Sequence, residues 1–137
     1  MRTNHYDVRS IELHVPGSKA HAFIADPAQL PKWTNAFAAI MPGRAVMRTP
    51  NGEVTVGLRV EARAESGTVD WYMTFPDGSI GKAYSRVVEL DRGRCAYVFV
   101  LTPPPVPLEQ LEGALAAQAR TLVEELNKLK EVLEHHA

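Results

Sequence analysis

Three residues capable of acid–base and hydrogen-bonding chemistry alternate along one stretch of the sequence: Lys82, Tyr84 and Arg86. In a β-strand, residues two apart project from the same face, so these side chains would share one environment. In a groove that excludes water, a cation or a phenol there could hydrogen-bond an enolate or a carboxylate, as cyclisation or dehydration of a carbonyl compound requires. The three residues are therefore the candidate catalytic residues.

The face on which this trio lies is ambiguous, because the same parity carries the apolar residues Ile80, Val88 and Leu90. Either two cations point toward the apolar side of the sheet, or a bulge shifts the register and returns both cations to solvent. Both possibilities stay open, and with them the question of whether the protein is an enzyme.

Other reactive residue types do not form a recognisable site. His5, His14 and His21 share no metal-ligand spacing, and the sequence has no HExxH or CxxC motif, so we expect no metal. It also lacks the phosphate-binding and dinucleotide fingerprints, and we expect no cofactor. The single cysteine, Cys95, cannot form an internal disulfide and is typical of a small core side chain in a reducing compartment.

Alternating apolar residues predict a series of antiparallel strands. Residues 6–15 form the first strand, and five or so more follow between about 44 and 102, separated by Gly-containing turn signals. The clearest of them, 53–65, has one apolar and one charged face, and the strand after it is sorted as cleanly. The last, 95–102, is apolar on both faces, which suits a strand covered on both sides or a convex face that meets another subunit.

Helices are predicted in two places. Two short helices follow the first strand, the first capped by Ser18 and stopped by Asp26-Pro27. A long helix over 107–134 carries one apolar stripe, whose members are Leu108, Leu111, Leu115, Ala119, Leu122, Leu126, Leu129 and Leu133.

This order of elements predicts an α+β fold in which a curved antiparallel sheet wraps around the long C-terminal helix. One helix is too narrow to cover such a sheet, so large side chains or a ligand must fill the remaining space. The large side chains either fill the hydrophobic core or line a ligand cavity. The candidate ligand-binding residues are Trp33, Trp71, Met73, Tyr84, Tyr97, Phe99, Leu115, Ala119 and Leu122.

The first quarter of the chain resembles the SRPBCC superfamily of START-like, helix-grip proteins, particularly its polyketide cyclase and dehydrase-like members. The resemblance is carried by residues 11–16 (IELHVP), by Ala22-Phe23, by Asp26-Pro27 and by residues 30–33 (LPKW). The strand series and the final helix extend it over nearly the whole chain. It implies a cavity for a small apolar or aromatic molecule between sheet and helix, with Trp33 at the sheet edge near the cavity mouth. It does not imply one chemistry, since the superfamily includes both carriers and enzymes.

Length and charge narrow the remaining possibilities. The 137 residues and 45% hydrophobic content suit one domain spanning 1–137. With 15 basic and 16 acidic residues, the net charge of −1 argues against nucleic acid as a partner. No signal peptide or membrane span is evident, so we expect a cytoplasmic protein that binds a small hydrophobic molecule, as a carrier or a cyclase-like enzyme. The competing hypothesis is an interaction module that uses the sheet face around Val98 and Val100 to form a homodimer or to dock another partner.

Overall fold

A computed structural model describes residues 6–49, 52–102 and 108–135 of the chain, without the side chains of residues 49 and 108–117. The elements are β1 (Asp7–Leu13), α1 (Gly17–Ala25), a 3₁₀ turn (Pro27–Gln29), α2 (Leu30–Trp33), β2 (Phe37–Met41), β3 (Arg44–Thr49), β4 (Gly52–Arg63), β5 (Thr68–Thr74), β6 (Ile80–Asp91), β7 (Arg94–Leu101) and α3 (Leu108–His135). No helix within these residues has an apolar run long enough to cross a bilayer.

The seven strands form one antiparallel sheet in the order β1-β7-β6-β5-β4-β3-β2. The sheet is curved, and α3 packs with β1 and β7 on its concave face. This arrangement confirms the predicted α+β helix-grip architecture, with the two short helices inserted after the first strand. Successive residues alternate between the concave face, which holds the core, and the convex face.

The apolar stripe of α3 is buried wherever its side chains are described. Ala119, Leu122, Leu126, Leu129 and Leu133 all lie in contact with the protein interior. The predicted members Leu108, Leu111 and Leu115 lie outside the described side chains. At 1.5 Å per residue, the 28-residue helix is about 42 Å long.

Polar contacts fix the C-terminal end of α3 to β1. The Lys130 Nζ donates to the Glu134 carboxylate at 2.5 Å and to the Glu12 carbonyl at 2.9 Å. The same Glu134 oxygen accepts from the His14 amide at 2.9 Å. Burial works to raise the pKa of Glu134, but the hydrogen bonds from Lys130 and His14 outweigh it and hold the pKa below its ordinary value. These contacts set the position of the helix relative to the first strand.

The start of α1 differs from the prediction that Ser18 is its N-cap. The N-cap is Pro16, which makes no side-chain capping bond. The missing acceptor comes from the end of β6, where the Glu89 carboxylate accepts from the Gly17 amide at 2.8 Å. The end of α1 is as predicted, since Asp26 adopts an extended conformation and its side chain accepts from Ala28 N.

Candidate ligand-binding site

Four aromatic side chains from three elements meet on the concave face, and we call them the aromatic cluster: Trp33, Trp71, Tyr97 and Phe99. The Trp33 ring lies 6.5 Å from Trp71 and 6.3 Å from Tyr97, measured between ring centroids. Phe99 stacks on Trp71 at 5.8 Å and meets the Tyr97 ring edge at 6.2 Å. The cluster therefore joins α2, β5 and β7 into one contact network. Trp33 lies in this interior rather than at the sheet edge.

Small residues on β6 make room for the cluster. In the strand register, Ala83 is the partner of Trp71, and Ser85 is the partner of Phe99. Directly opposed residues on one face lie about 5 Å apart, so bulky side chains at both positions would collide. The β6 side chains at positions 83 and 85 on the concave face are therefore small, because their neighbours on β5 and β7 are large.

Three polar atoms of the cluster are buried without a hydrogen-bond partner among the described residues: Trp33 Nε1, Trp71 Nε1 and Tyr97 Oη. These residues are 2%, 3% and 0% exposed, respectively. Burial raises the pKa of the Tyr97 phenol strongly, so the hydroxyl stays protonated; Ser85 acts in the opposite direction, without reaching hydrogen-bonding geometry. An unpaired buried polar group destabilises a protein by about 1–3 kcal/mol, so three in one cluster require an explanation.

A cleft of about 640 Å³ opens beside the cluster, between the end of α1, the β2–β3 turn and β4. None of the residues that line it has a polar side chain, and backbone atoms supply the polar part of its surface: Ala25, Pro27, Ala28, Ile40, Met41, Pro42, Gly43, Leu58, Val60 and Ala62. Val60 is the direct strand partner of Trp71. The cleft wall and the aromatic cluster are therefore neighbours on the same sheet face.

Two charged groups near this face, Glu125 and Arg9, are paired within the described structure. The Glu125 carboxylate on α3 accepts from the Asn35 amide at 2.5 Å and from the Ala36 amide at 3.3 Å. Burial raises the pKa of Glu125, and the two amide hydrogen bonds offset part of that rise. On β1, Arg9 pairs with Asp7 at 2.7 Å. The unpaired hydrogen-bond donors of the aromatic cluster are therefore uncharged groups.

Most of the predicted ligand-binding residues are brought together by the fold. Trp33, Trp71, Tyr97 and Phe99 form the aromatic cluster, while Met73 is half-buried against the same core. Leu122 on α3 belongs to the same core, and Ala119 on that helix is also buried. The side chain of Leu115 lies outside the described residues.

The candidate catalytic residues lie on the opposite face of the sheet. Ser85, between Tyr84 and Arg86, is buried and bonded to the Val69 carbonyl, so its two neighbours point to the convex side. The Tyr84 ring meets Tyr72 at 6.4 Å, and Arg86 Nε donates to the Ser66 carbonyl at 2.9 Å. Lys82, two residues before Tyr84 on the same strand, lies on the convex side as well. The register of β6 shifts only after Glu89, so no bulge separates Lys82, Tyr84 and Arg86. These three side chains therefore do not face the groove on which the suggested chemistry depends.

Cys95 is fully buried on β7, as a core side chain would be. Burial, with a smaller contribution from Glu89, raises the pKa of its thiol to about 11. A thiol that stays protonated near neutral pH is a poor nucleophile.

Two parts of the site were not predicted from the sequence: the β2 side of the cleft and Glu125. Residues 37–41 (FAAIM) were not recognised as a strand, because two central alanines and the absence of alternation give little strand signal. Glu125 did carry a signal. It lies three residues after Leu122 and four before Leu129, where a carboxylate on the apolar stripe needs its own partners.

Solved structures with the same architecture cover the whole described fold. A START superfamily protein from Mycobacterium smegmatis superposes with a TM-score of 0.70 at 12% sequence identity, covering 98% of this chain and 100% of that one. The Zhui aromatase/cyclase from Streptomyces sp. R1128 gives 0.71 at 14% identity, covering 94% and 93%. A protein from Thermobifida fusca gives 0.66 at 18% identity, covering 96% and 95%.

No protein-family model and no curated protein matches the sequence. At these low identities, the structural matches establish the fold alone. The protein therefore has the START-like helix-grip fold expected from the residue pattern of its first quarter.

Proposed function

We propose that this chain, a single cytoplasmic domain, binds a small hydrophobic or aromatic molecule on the concave face of its sheet, the face that α3 also covers. The observation that carries the proposal is the apolar cleft of about 640 Å³ whose wall residue Val60 pairs with Trp71. A volume in the range of small-molecule sites, with apolar walls and a few buried polar groups, is typical of a ligand pocket.

Carrier and cyclase-like roles both suit such a site. The similar structures include a START superfamily protein and an aromatase/cyclase. We favour the carrier, because Lys82, Tyr84 and Arg86 lie on the convex face, away from any molecule held against the aromatic cluster. A cyclase-like reaction would need acid–base groups on the concave face, where Glu125 and Arg9 are already paired.

The proposal is tested by filling the cleft. Ala28 lines it from the 3₁₀ turn, and Ala22 is an exposed alanine on α1 that does not. Ala28→Phe should weaken binding of the uncharged probe N-phenyl-1-naphthylamine about tenfold or more, because the new ring occupies the cleft. Ala22→Phe is the matched control and should bind like the wild type. Probe emission gives the affinity, and thermal unfolding shows whether each variant is folded.

A native ligand can be sought independently of any probe. Mass spectrometry of the organic extract from denatured, freshly purified protein should show a small apolar compound, which the folded Ala28→Phe variant retains in lower amount. Equal probe affinity in both variants, or no probe binding by the wild type, contradicts the proposal.

The interaction-module hypothesis has less support from the convex face. Val98 is flanked in the register by Ser10 on one side and Arg86 on the other, so polar residues interrupt the apolar surface there. Val100 has apolar neighbours in Val8 and Tyr84, and Val8 is 48% exposed. Val98→Lys should therefore leave the elution volume in size-exclusion chromatography unchanged; a shift to a smaller species would favour a homodimer.

A further inference from the structure

The unpaired polar atoms of the aromatic cluster are all hydrogen-bond donors. An indole N–H only donates, so Trp33 and Trp71 each lack an acceptor among the described residues. The Tyr97 hydroxyl can also accept, but as a protonated phenol it has a proton to donate. The ring contacts bring the three side chains together, so an acceptor from outside the protein could satisfy one or more of these donors.

The electrostatic surroundings disfavour a charged acceptor. Among the described residues, the arginine on the concave side of β1, Arg9, is already paired with Asp7. The Glu125 carboxylate projects from α3, and its charge opposes a negative charge at Tyr97. An anion entering this interior would lose its hydration, and Arg9 could compensate for that loss only by leaving Asp7.

We infer that the ligand presents an uncharged hydrogen-bond acceptor, such as a ketone, ester or quinone carbonyl, to Trp33 Nε1, Trp71 Nε1 and Tyr97 Oη. This inference rests on the proposed function, since it specifies the chemistry of a molecule that reaches the aromatic cluster from the neighbouring cleft. One carbonyl oxygen accepts two hydrogen bonds, so a single acceptor can satisfy part of the set.

Three rigid tricyclic molecules of similar shape test it by isothermal titration calorimetry: fluorene, 9-fluorenone and fluorene-9-carboxylate. A net hydrogen bond of ordinary strength should make 9-fluorenone bind about 3- to 10-fold more tightly than fluorene. The carboxylate should bind most weakly. Equal affinities for fluorene and 9-fluorenone, or tightest binding of the carboxylate, overturn the inference while leaving the proposed function intact.

Tyr97→Phe removes one donor and keeps the ring. It should reduce the preference for 9-fluorenone over fluorene about 3-fold or more. It should also raise the unfolding temperature of the ligand-free protein by about 2–5 °C, because an unsatisfied buried hydroxyl is lost. A lower unfolding temperature would mean that the hydroxyl is already bonded within the protein, and this overturns its assignment.

Tyr72→Phe is the matched control, since it removes a phenol hydroxyl from the convex face next in sequence to Trp71. It should change neither the ligand preference nor the unfolding temperature. Trp71→Phe gives a second measure of the same donor set. If neither Trp71→Phe nor Tyr97→Phe alters the preference, the donors do not contact the ligand. If none of the three tricyclic molecules binds although N-phenyl-1-naphthylamine does, the inference is overturned; if the naphthylamine also fails to bind, the proposed function is refuted.

Discussion

Trp71 and Tyr72 are consecutive residues of β5, yet they lie on opposite faces of the sheet in very different surroundings. Each belongs to an aromatic pair of almost equal separation, 6.5 Å for Trp33–Trp71 and 6.4 Å for Tyr72–Tyr84. The Trp71 N–H is buried without an acceptor among the described residues. The Tyr72 ring is half-buried, with the Arg59 guanidinium 4.4 Å from its centroid.

This difference shows that ring geometry alone does not identify a binding site. Desolvation, followed by the charge of Glu61, raises the pKa of Tyr72, but its surroundings are a surface network in which Arg59 also pairs with Glu61. Around Trp71 the rings exclude water, and no polar side chain compensates for the buried donor. Burial combined with missing partners, rather than aromatic content, distinguishes the concave face as the candidate site.

Truncating the two neighbours should give the largest contrast. Trp71→Ala should destabilise the protein by about 3–5 kcal/mol, because it leaves a cavity beneath Trp33 and Phe99. Tyr72→Ala should shift the denaturant midpoint by less than a quarter as much, since one side of its ring meets solvent. Urea unfolding followed by circular dichroism measures both. Similar shifts would mean that the convex pair is as important to folding as the concave cluster.

Glu125 allows an intermediate test of the concave face. Glu125→Ala should cost about 1–3 kcal/mol, because the Asn35 and Ala36 amides lose their acceptor. Glu125→Gln keeps an acceptor oxygen and should be milder. Chemical denaturation at neutral pH compares the two; equal loss in both variants would show that the charge, rather than the acceptor, holds the turn.

The raised pKa of Glu125 also predicts the sign of a pH effect. The native protein binds this proton more tightly than the unfolded chain, so the stability contribution of Glu125 falls as pH rises from the ordinary glutamate value through its raised pKa. The difference in unfolding free energy between wild type and Glu125→Gln should therefore change in favour of the variant across that window. A difference that does not vary with pH would contradict the assigned direction.

Arg59→Gln on the convex face should have the smallest effect. It removes the cation that lowers the pKa of Tyr72 and leaves Glu61 unpaired, so that pKa should rise further. The denaturant midpoint should stay within error, since exposed cation–π contacts and ion pairs contribute little. NMR titration of the tyrosine ring resonances measures the pKa. A fall in this pKa would show that the arginine acts mainly by covering the ring.

The strands with clean alternation and the striped helix were predictable, because their patterns depend on residues close in sequence. Val56 and Leu58 of β4 and Val69 and Trp71 of β5 are buried as their parity predicts. The N-cap of α1 was not predictable, because its acceptor, Glu89, is 72 residues away.

Which residues of β6 face the core could not be decided without knowing the residues on the neighbouring strands. In the sequence, the larger apolar residues Tyr84 and Val88 suggest the core-facing side, but in the structure Ala83 and Ser85 face the core. They are small because Trp71 and Phe99, on the two adjoining strands, occupy the space in front of them. The aromatic strand residues of the candidate site could be found from strand parity, whereas the β2 side of the cleft could not.

Both tryptophans of the chain belong to the aromatic cluster. All indole fluorescence of the intact protein therefore originates from that one location, without engineered labels. Shielded from solvent, the rings should emit at short wavelength and resist quenching by acrylamide. A guest that docks beside them would change the emission colour or lifetime directly.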